Sequence, residues 1–212
     1  MKKLLTFGII VGTLFAKGLT LQEKQALFRE YNTSKVLRDA YYYFGVIYPF
    51  SSSYFERLMK SEIIHMQMIK KVIKHYKIPF KSNDTFGKFP DSFKKDFKFI
   101  IDKGSKSFLK VIKVSIKEEV DDIDRIEKYK KISAHDDIKA LFSIIQRSRK
   151  NHYLLFNQIL LRNFKKGVCI IMPSKYCRHY KWDRNLHKRV HKEWYFIDIE
   201  KWNKIMDRLE PK

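Results

Sequence analysis

Cysteine is nearly absent from this chain of 212 residues: the only two, Cys169 and Cys177, flank the stretch IIMPSKY. No CxxC pair occurs, so thioredoxin-type and zinc-ribbon chemistry have no support. Glycine and proline are also scarce, at 7 and 5, which suits a globular helical chain. There is no glycine-rich phosphate loop, no GxSxG elbow and no cysteine nucleophile arrangement. Long apolar runs are missing too. The apolar run over residues 4–15 falls well short of the roughly 20 residues that span a bilayer. Acidic residues are in the minority, 23 against 45 Lys and Arg, for a formal charge of +22.

What is present begins with MKKLLTFGIIVGTLFAKG, a basic start, an apolar run and a small residue at Ala16. The pattern is that of a signal peptide over residues 1–16, with an uncleaved anchor as the alternative. A mature chain starting near Lys17 would be periplasmic or secreted. Thiol oxidation is then permitted, and a Cys169–Cys177 disulfide would stabilise by about 2–3 kcal/mol on the chain-entropy picture. Two free thiols are the other outcome. The basic surface suits an anionic envelope surface; export takes most of the weight from nucleic acid, and a solvated lysine-rich surface needs no partner. A homodimer is also open.

Periodicity of 3.6 residues gives four long helices, over about residues 21–48, 54–76, 106–131 and 136–164. The first is expected to be interrupted at YNTS, where Asn32, Thr33 and Ser34 are helix-start residues. Pro79, Gly87 and Pro90 break the pattern after the second helix, and a short helix near 91–103 follows. Short connections make each pair an antiparallel hairpin, with one long crossing between hairpins. The expected fold is all-α, a ferritin-like four-helix bundle over residues 17–166. A basic, aromatic extension follows over residues 167–212.

Four polar residues fall on apolar faces. Glu62 neighbours Leu58, Met59 and Met66 one turn away, and His65 neighbours Ile69. Glu119 sits in a stripe with Ile112, Ile116, Ile123 and Ile126, with Asp122 one turn later. His152 lies among Ile145, Leu155, Phe156 and Ile159. A buried, unpaired carboxylate is costly, so Glu62 and Glu119 need partners. One shared metal ion, of iron, manganese or zinc, is an economical answer. The competing answer is a buried ion-pair cluster in which Arg149 or Arg38 neutralises the two glutamates.

Four stretches carry a resemblance: LRDAYYYF, then SEIIHM with HYKIP, then SFLKVIKVSIKEEVDDI, then DDIKALFSIIQRSRKNHYLLF. In this order, over about residues 20–162, the chain resembles a ferritin-like family of small bacterial and archaeal proteins distantly similar to rubrerythrins. The resemblance implies a metal centre in the bundle core with Glu62, His65, Glu119, Asp122 and His152 as ligands. It also exposes two departures. The expected first-helix glutamate is Ser34, and a carboxylate expected three residues before His152 is Arg149. Glu30 can substitute for the first only if the helix runs unbroken through YNTS. The expectation is therefore a reduced site, holding one iron or similar ion or none, and no reaction or substrate follows from it. Elsewhere, His187 and His191 in HKRVHKEW, with His179 nearby, have the i, i+4 spacing of a surface metal clip, but amid so many lysines and arginines they read first as a solvated basic segment. The neighbouring Tyr180, Trp182, Trp194 and Tyr195 read as packing the extension onto the bundle, with an anionic sugar or nucleic-acid strand as the alternative for such aromatics in a basic run.

Overall fold

A computed structural model describes residues 18–164. The expected signal segment, the Cys169–Cys177 pair and the 167–212 extension lie outside the described residues. Within them are five helices and no strand: α1 Leu21–Ile47, α2 Ser52–His75, α3 Asp91–Gly104, α4 Phe108–Ile132 and α5 Asp136–Phe164. No described helix is long and apolar enough to cross a membrane.

Helix α1 starts on a capping box, in which Thr20 Oγ1 accepts from the Glu23 amide and Glu23 accepts from the Thr20 amide. It does not break at YNTS. Each of the three start-prone residues is used in mid-helix instead: Asn32 donates to the Phe28 carbonyl, Thr33 accepts from Arg125, and Ser34 accepts from Arg149. Their competition with the helical backbone is thereby diverted. Helix α2 ends where Lys77 takes a positive φ of 50° and the Ile78 amide reaches the Ile73 carbonyl. That turn closes the last carbonyls and releases the chain outward.

Helix α1 packs mainly on α2, and α4 on α5, through the two short connections, so the long helices form two antiparallel hairpins. The hairpins meet along α1–α4 and α2–α5, which leaves α1 and α5 diagonal. Helix α3 lies outside, against α4 and α1. It approaches α1 so closely that a Cβ on Gly104 would stand 2.3 Å from the Phe44 ring. Before it, the proline-containing crossing is strapped to the outside of α1. Lys35 Nζ donates to the Thr85 carbonyl at 2.8 Å, Arg38 to the Asp84 carbonyl at 2.9 Å, and the Gly87 amide to Asp39 at 3.0 Å. Phe80 stacks on Phe28 and meets Tyr31 edge-on.

The apolar core comes in two pieces. One gathers Leu37, Phe44, Phe55, Ile112, Tyr153 and Phe156; the other gathers Leu27, Ile69, Val72, Ile126, Leu141 and Phe142. On every long helix the stretch between the two pieces carries polar side chains that are nonetheless buried. That layer is where Glu62 and His65 lie.

Candidate metal centre

Among the described residues the largest wholly buried side chain is Arg149, on α5, and it reaches the three other long helices. Its Nη1 donates to Glu62 Oε1 on α2 and lies 3.6 Å from Glu119 Oε2 on α4. Its Nε lies 2.6 Å from Asp122 Oδ2 on α4. Its Nη2 donates to Glu30 Oε1 at 3.2 Å and to Ser34 Oγ at 3.0 Å, both on the diagonal helix α1. The two departures from the expected ligand set are therefore each other's partners. Because α1 is unbroken, Glu30 is presented one turn before Ser34 and contacts Arg149.

Of the expected ligands, Glu62, Glu119 and His152 converge. Each offers one donor atom, and the three atoms lie within 4.8 Å of one another. His152 Nδ1 stands 3.0 Å from Glu119 Oε1 and 3.4 Å from Glu62 Oε1. His65 stands behind Glu62, its Nδ1 3.1 Å from Glu62 Oε2. Asp122 is held by Arg125, on its own helix, and by Arg149. Arg38 is not in the cluster; it pairs with Asp39 at 2.6 Å.

Sequence reasoning overlooked three contributors. Tyr41 donates to Glu119 Oε1 at 2.5 Å. Ser61 lies 2.9 Å from His152 Nε2, and Ser148 lies 2.9 Å from Ser61. Ser148 precedes His152 by four residues, and Ser61 precedes His65 by four, so the i, i+4 rule placed each beside a buried histidine.

The electrostatics follow from burial and from Arg149. Burial alone would raise the Glu62 carboxyl, but Arg149, His65 and His152 hold it down at about 2. For Glu30, burial and the charge of Asp122 prevail over Arg149 and push the carboxyl up to about 8. Burial drives His65 below its ordinary value despite Glu62. Burial and the charges of Glu119 and Glu62 push the Tyr41 phenol up, so it remains a donor.

Among the described residues, Glu119 Oε2, Glu30 Oε2 and Asp122 Oδ2 are buried carboxylate oxygens with no hydrogen bond, and of these Asp122 Oδ2 is paired with Arg149 Nε. Native cores rarely leave such atoms unsatisfied without a reason. Two carboxylates and an imidazole form a donor set for iron, manganese or zinc, and Glu119, which carries one of these oxygens, belongs to that set. The buried Glu62, Glu119 and His152 group can hold a metal ion. A second ion does not fit beside it, because the guanidinium of Arg149 already stands among the carboxylates that a second ion would need.

Residues 23–170 match the family described as "Uncharacterized protein domain (DUF2202)". The match covers more than half of the chain, and the chain belongs to that family. It is also similar to "Uncharacterized protein MJ0754" of Methanocaldococcus jannaschii, with 27% identity over 152 residues, 71% of this chain and 81% of the relative. The crystal structure of hypothetical protein MJ0754 from Methanococcus jannaschii superposes with a TM-score of 0.67 at 23% identity, over 90% of this chain and 95% of the other. That likeness carries the fold and no function.

Proposed function

We propose that this member of the family is a metal-binding helical bundle that holds one divalent ion at Glu62, Glu119 and His152, with Arg149 in the place of a second. Charge balance is the observation that carries it. The layer contains four carboxyls, Glu30, Glu62, Glu119 and Asp122, and two guanidiniums, Arg125 and Arg149. The deficit equals one dication when all four carboxyls are ionised. Without the ion, Glu30 keeps its proton to about pH 8. Iron is the favoured ion, and the arrangement of two hairpins with a core site supports a ferritin-like bundle reduced to one metal. Oxygen or peroxide chemistry of the two-iron kind has no support in a site with one ion position. The chain's own residues still bind: Glu62 and Glu119 supply charge, Tyr41 orients Glu119, and Arg149 fixes Glu62.

A second reading is favoured by the density of contacts around Arg149: a non-enzymatic interaction protein whose polar layer is an ion-pair cluster and nothing more. The exported, basic chain then meets an anionic envelope surface. Metal per chain after equilibration with ferrous iron, without oxygen, separates the two. We expect about one ion in the unaltered protein and none in Glu62→Ala, Glu119→Ala or His152→Ala. The double variant Ser34→Glu with Arg149→Glu should take a second. No ion in either the unaltered protein or the folded double variant would end the metal reading. Export is tested by the mass of the native chain, which should begin near Lys17.

A further inference from the structure

The two histidines of the layer differ in what stands behind them. His65 has Nδ1 against Glu62, and its Nε2 is buried with no hydrogen bond among the described residues. His152 has both nitrogens engaged. Its Nδ1 faces Glu119 and Glu62, and its Nε2 faces Ser61 Oγ at 2.9 Å and Ser148 Oγ at 3.4 Å. The hydroxyls lie 2.9 Å from each other. A serine inside a helix commonly turns its hydroxyl to the carbonyl four residues back. Among the described residues, the hydrogen bonds of these two hydroxyls go to each other and to His152.

We infer that the Ser61–Ser148 pair is a reversible hydrogen-bond partner that positions His152 for two states, with and without a metal ion. The inference rests on the metal reading above. Ionised carboxylates only accept. Without an ion, Nδ1 must therefore carry the ring proton and donate to Glu119, and the bare Nε2 takes a hydrogen bond from Ser61 Oγ. With an ion, the Nδ1 lone pair must face the metal, and the ring proton must sit on Nε2. Ser61 Oγ then accepts from Nε2 and turns its own hydrogen to Ser148 Oγ.

The number of protons on the ring is the same in both states. Nδ1 gives one up to solvent as the ion arrives, and Nε2 takes one from solvent through the hydroxyls, on the side where Ser61 is half-buried, so no net proton is gained or lost by the ring. A carbonyl or an ammonium at Ser61 would serve one state and oppose the other, because neither can both donate and accept. Ser61 and Ser148 are thus positioning residues. They act through the imidazole and touch no ion.

The experiment uses the full chain, with zinc alone as the ion and 15N NMR of the imidazole nitrogens. In the unaltered protein, His152 should carry its proton on Nδ1 before zinc and on Nε2 at saturation. Ser61→Ala should weaken zinc binding roughly 10- to 100-fold, the range for loss of such a partner. Ser61→Thr, which keeps the hydroxyl, should restore it. Ser148→Ala should fall between them. Zinc binding that Glu119→Ala abolishes and Ser61→Ala leaves intact overturns this inference alone, as does a ring proton that stays on Nδ1 at saturation. An unaltered protein that takes up no zinc overturns the metal reading together with it.

Discussion

Two buried ion-pair clusters sit on α1, a few residues apart, and they are finished differently. Around Lys35 every charge is answered. Its Nζ reaches Asp39 at 3.0 Å and the Thr85 carbonyl at 2.8 Å, over the Phe89 ring at 3.8 Å. Asp39 also accepts from Arg38 and from the Gly87 amide. Around Arg149 the carboxyls outnumber the guanidiniums, and three carboxylate oxygens, on Glu30, Glu119 and Asp122, remain without hydrogen bonds among the described residues. A clamp whose sole task is to hold a crossing segment has no reason to leave such atoms over. The excess negative charge in the Arg149 layer is the difference that a cation would remove.

The sharpest way to break this contrast is to remove each cation in turn. Arg149→Met takes the guanidinium from Glu30, Glu62 and Glu119, with Arg125 left to hold Asp122, and should lose about 3–5 kcal/mol in ion-free protein. Zinc should recover much of that loss, because the vacated space adds to an existing donor set. Lys35→Met should lose about 1–3 kcal/mol, since Arg38 and the Gly87 amide still serve Asp39. Zinc should return none of it. Urea unfolding with and without zinc reads both, and equal recovery in the two variants would erase the distinction.

A smaller effect separates the clusters by pH. The Glu30 carboxyl is raised from 4.5 to about 8, so its share of stability is fully present below pH 4.5 and is lost as pH rises through 8. Glu62, held at about 2, behaves oppositely: its share is present above 4.5 and lost as pH falls toward 2. In ion-free protein, Glu30→Gln should therefore flatten the loss between pH 4.5 and 8 and leave the acid limb in place. Lys35→Met should keep that slope. Urea midpoints taken across this range decide it. Smallest of all, Lys60→Ala removes the exposed Glu56–Lys60 pair and should leave the unfolding midpoint where it was.

Much of this was legible in the sequence. The long helices lie within a few residues of the periodicity estimate, because apolar faces at 3.6 spacing are a local signal. Burial of Glu62, His65, Glu119 and His152 was legible for the same reason. Who answers them was only half legible. Arg149 was one of two candidate cations, and choosing it over Arg38 requires knowing which helices face each other. Pairing of Ser34 with Arg149 joins diagonal helices and leaves no trace in local spacing. Glu30 was held back by the expected break at YNTS, and that break fails because Asn32 bonds back to its own helix while arginines on other helices take up Thr33 and Ser34. Lys35 and Asp39 resemble an ordinary solvated i, i+4 pair until the crossing segment covers them.

Glu23 gains a further meaning from Arg149. Its Oε1 accepts from the Ala134 and His135 amides, at 2.9 and 3.1 Å, while its Oε2 accepts from Thr20 at 2.9 Å. One carboxylate thus fastens the start of α1 to the connection between α4 and α5. Seven residues later, about 10 Å along the same helix, Glu30 fastens α1 to Arg149. Two rivets on one rod prevent both sliding and rolling of one hairpin against the other. A single residue inserted between them would turn one carboxylate about 100° away from its partner. Length in that short stretch of α1 is therefore fixed by alignment, whatever residues fill its outer face.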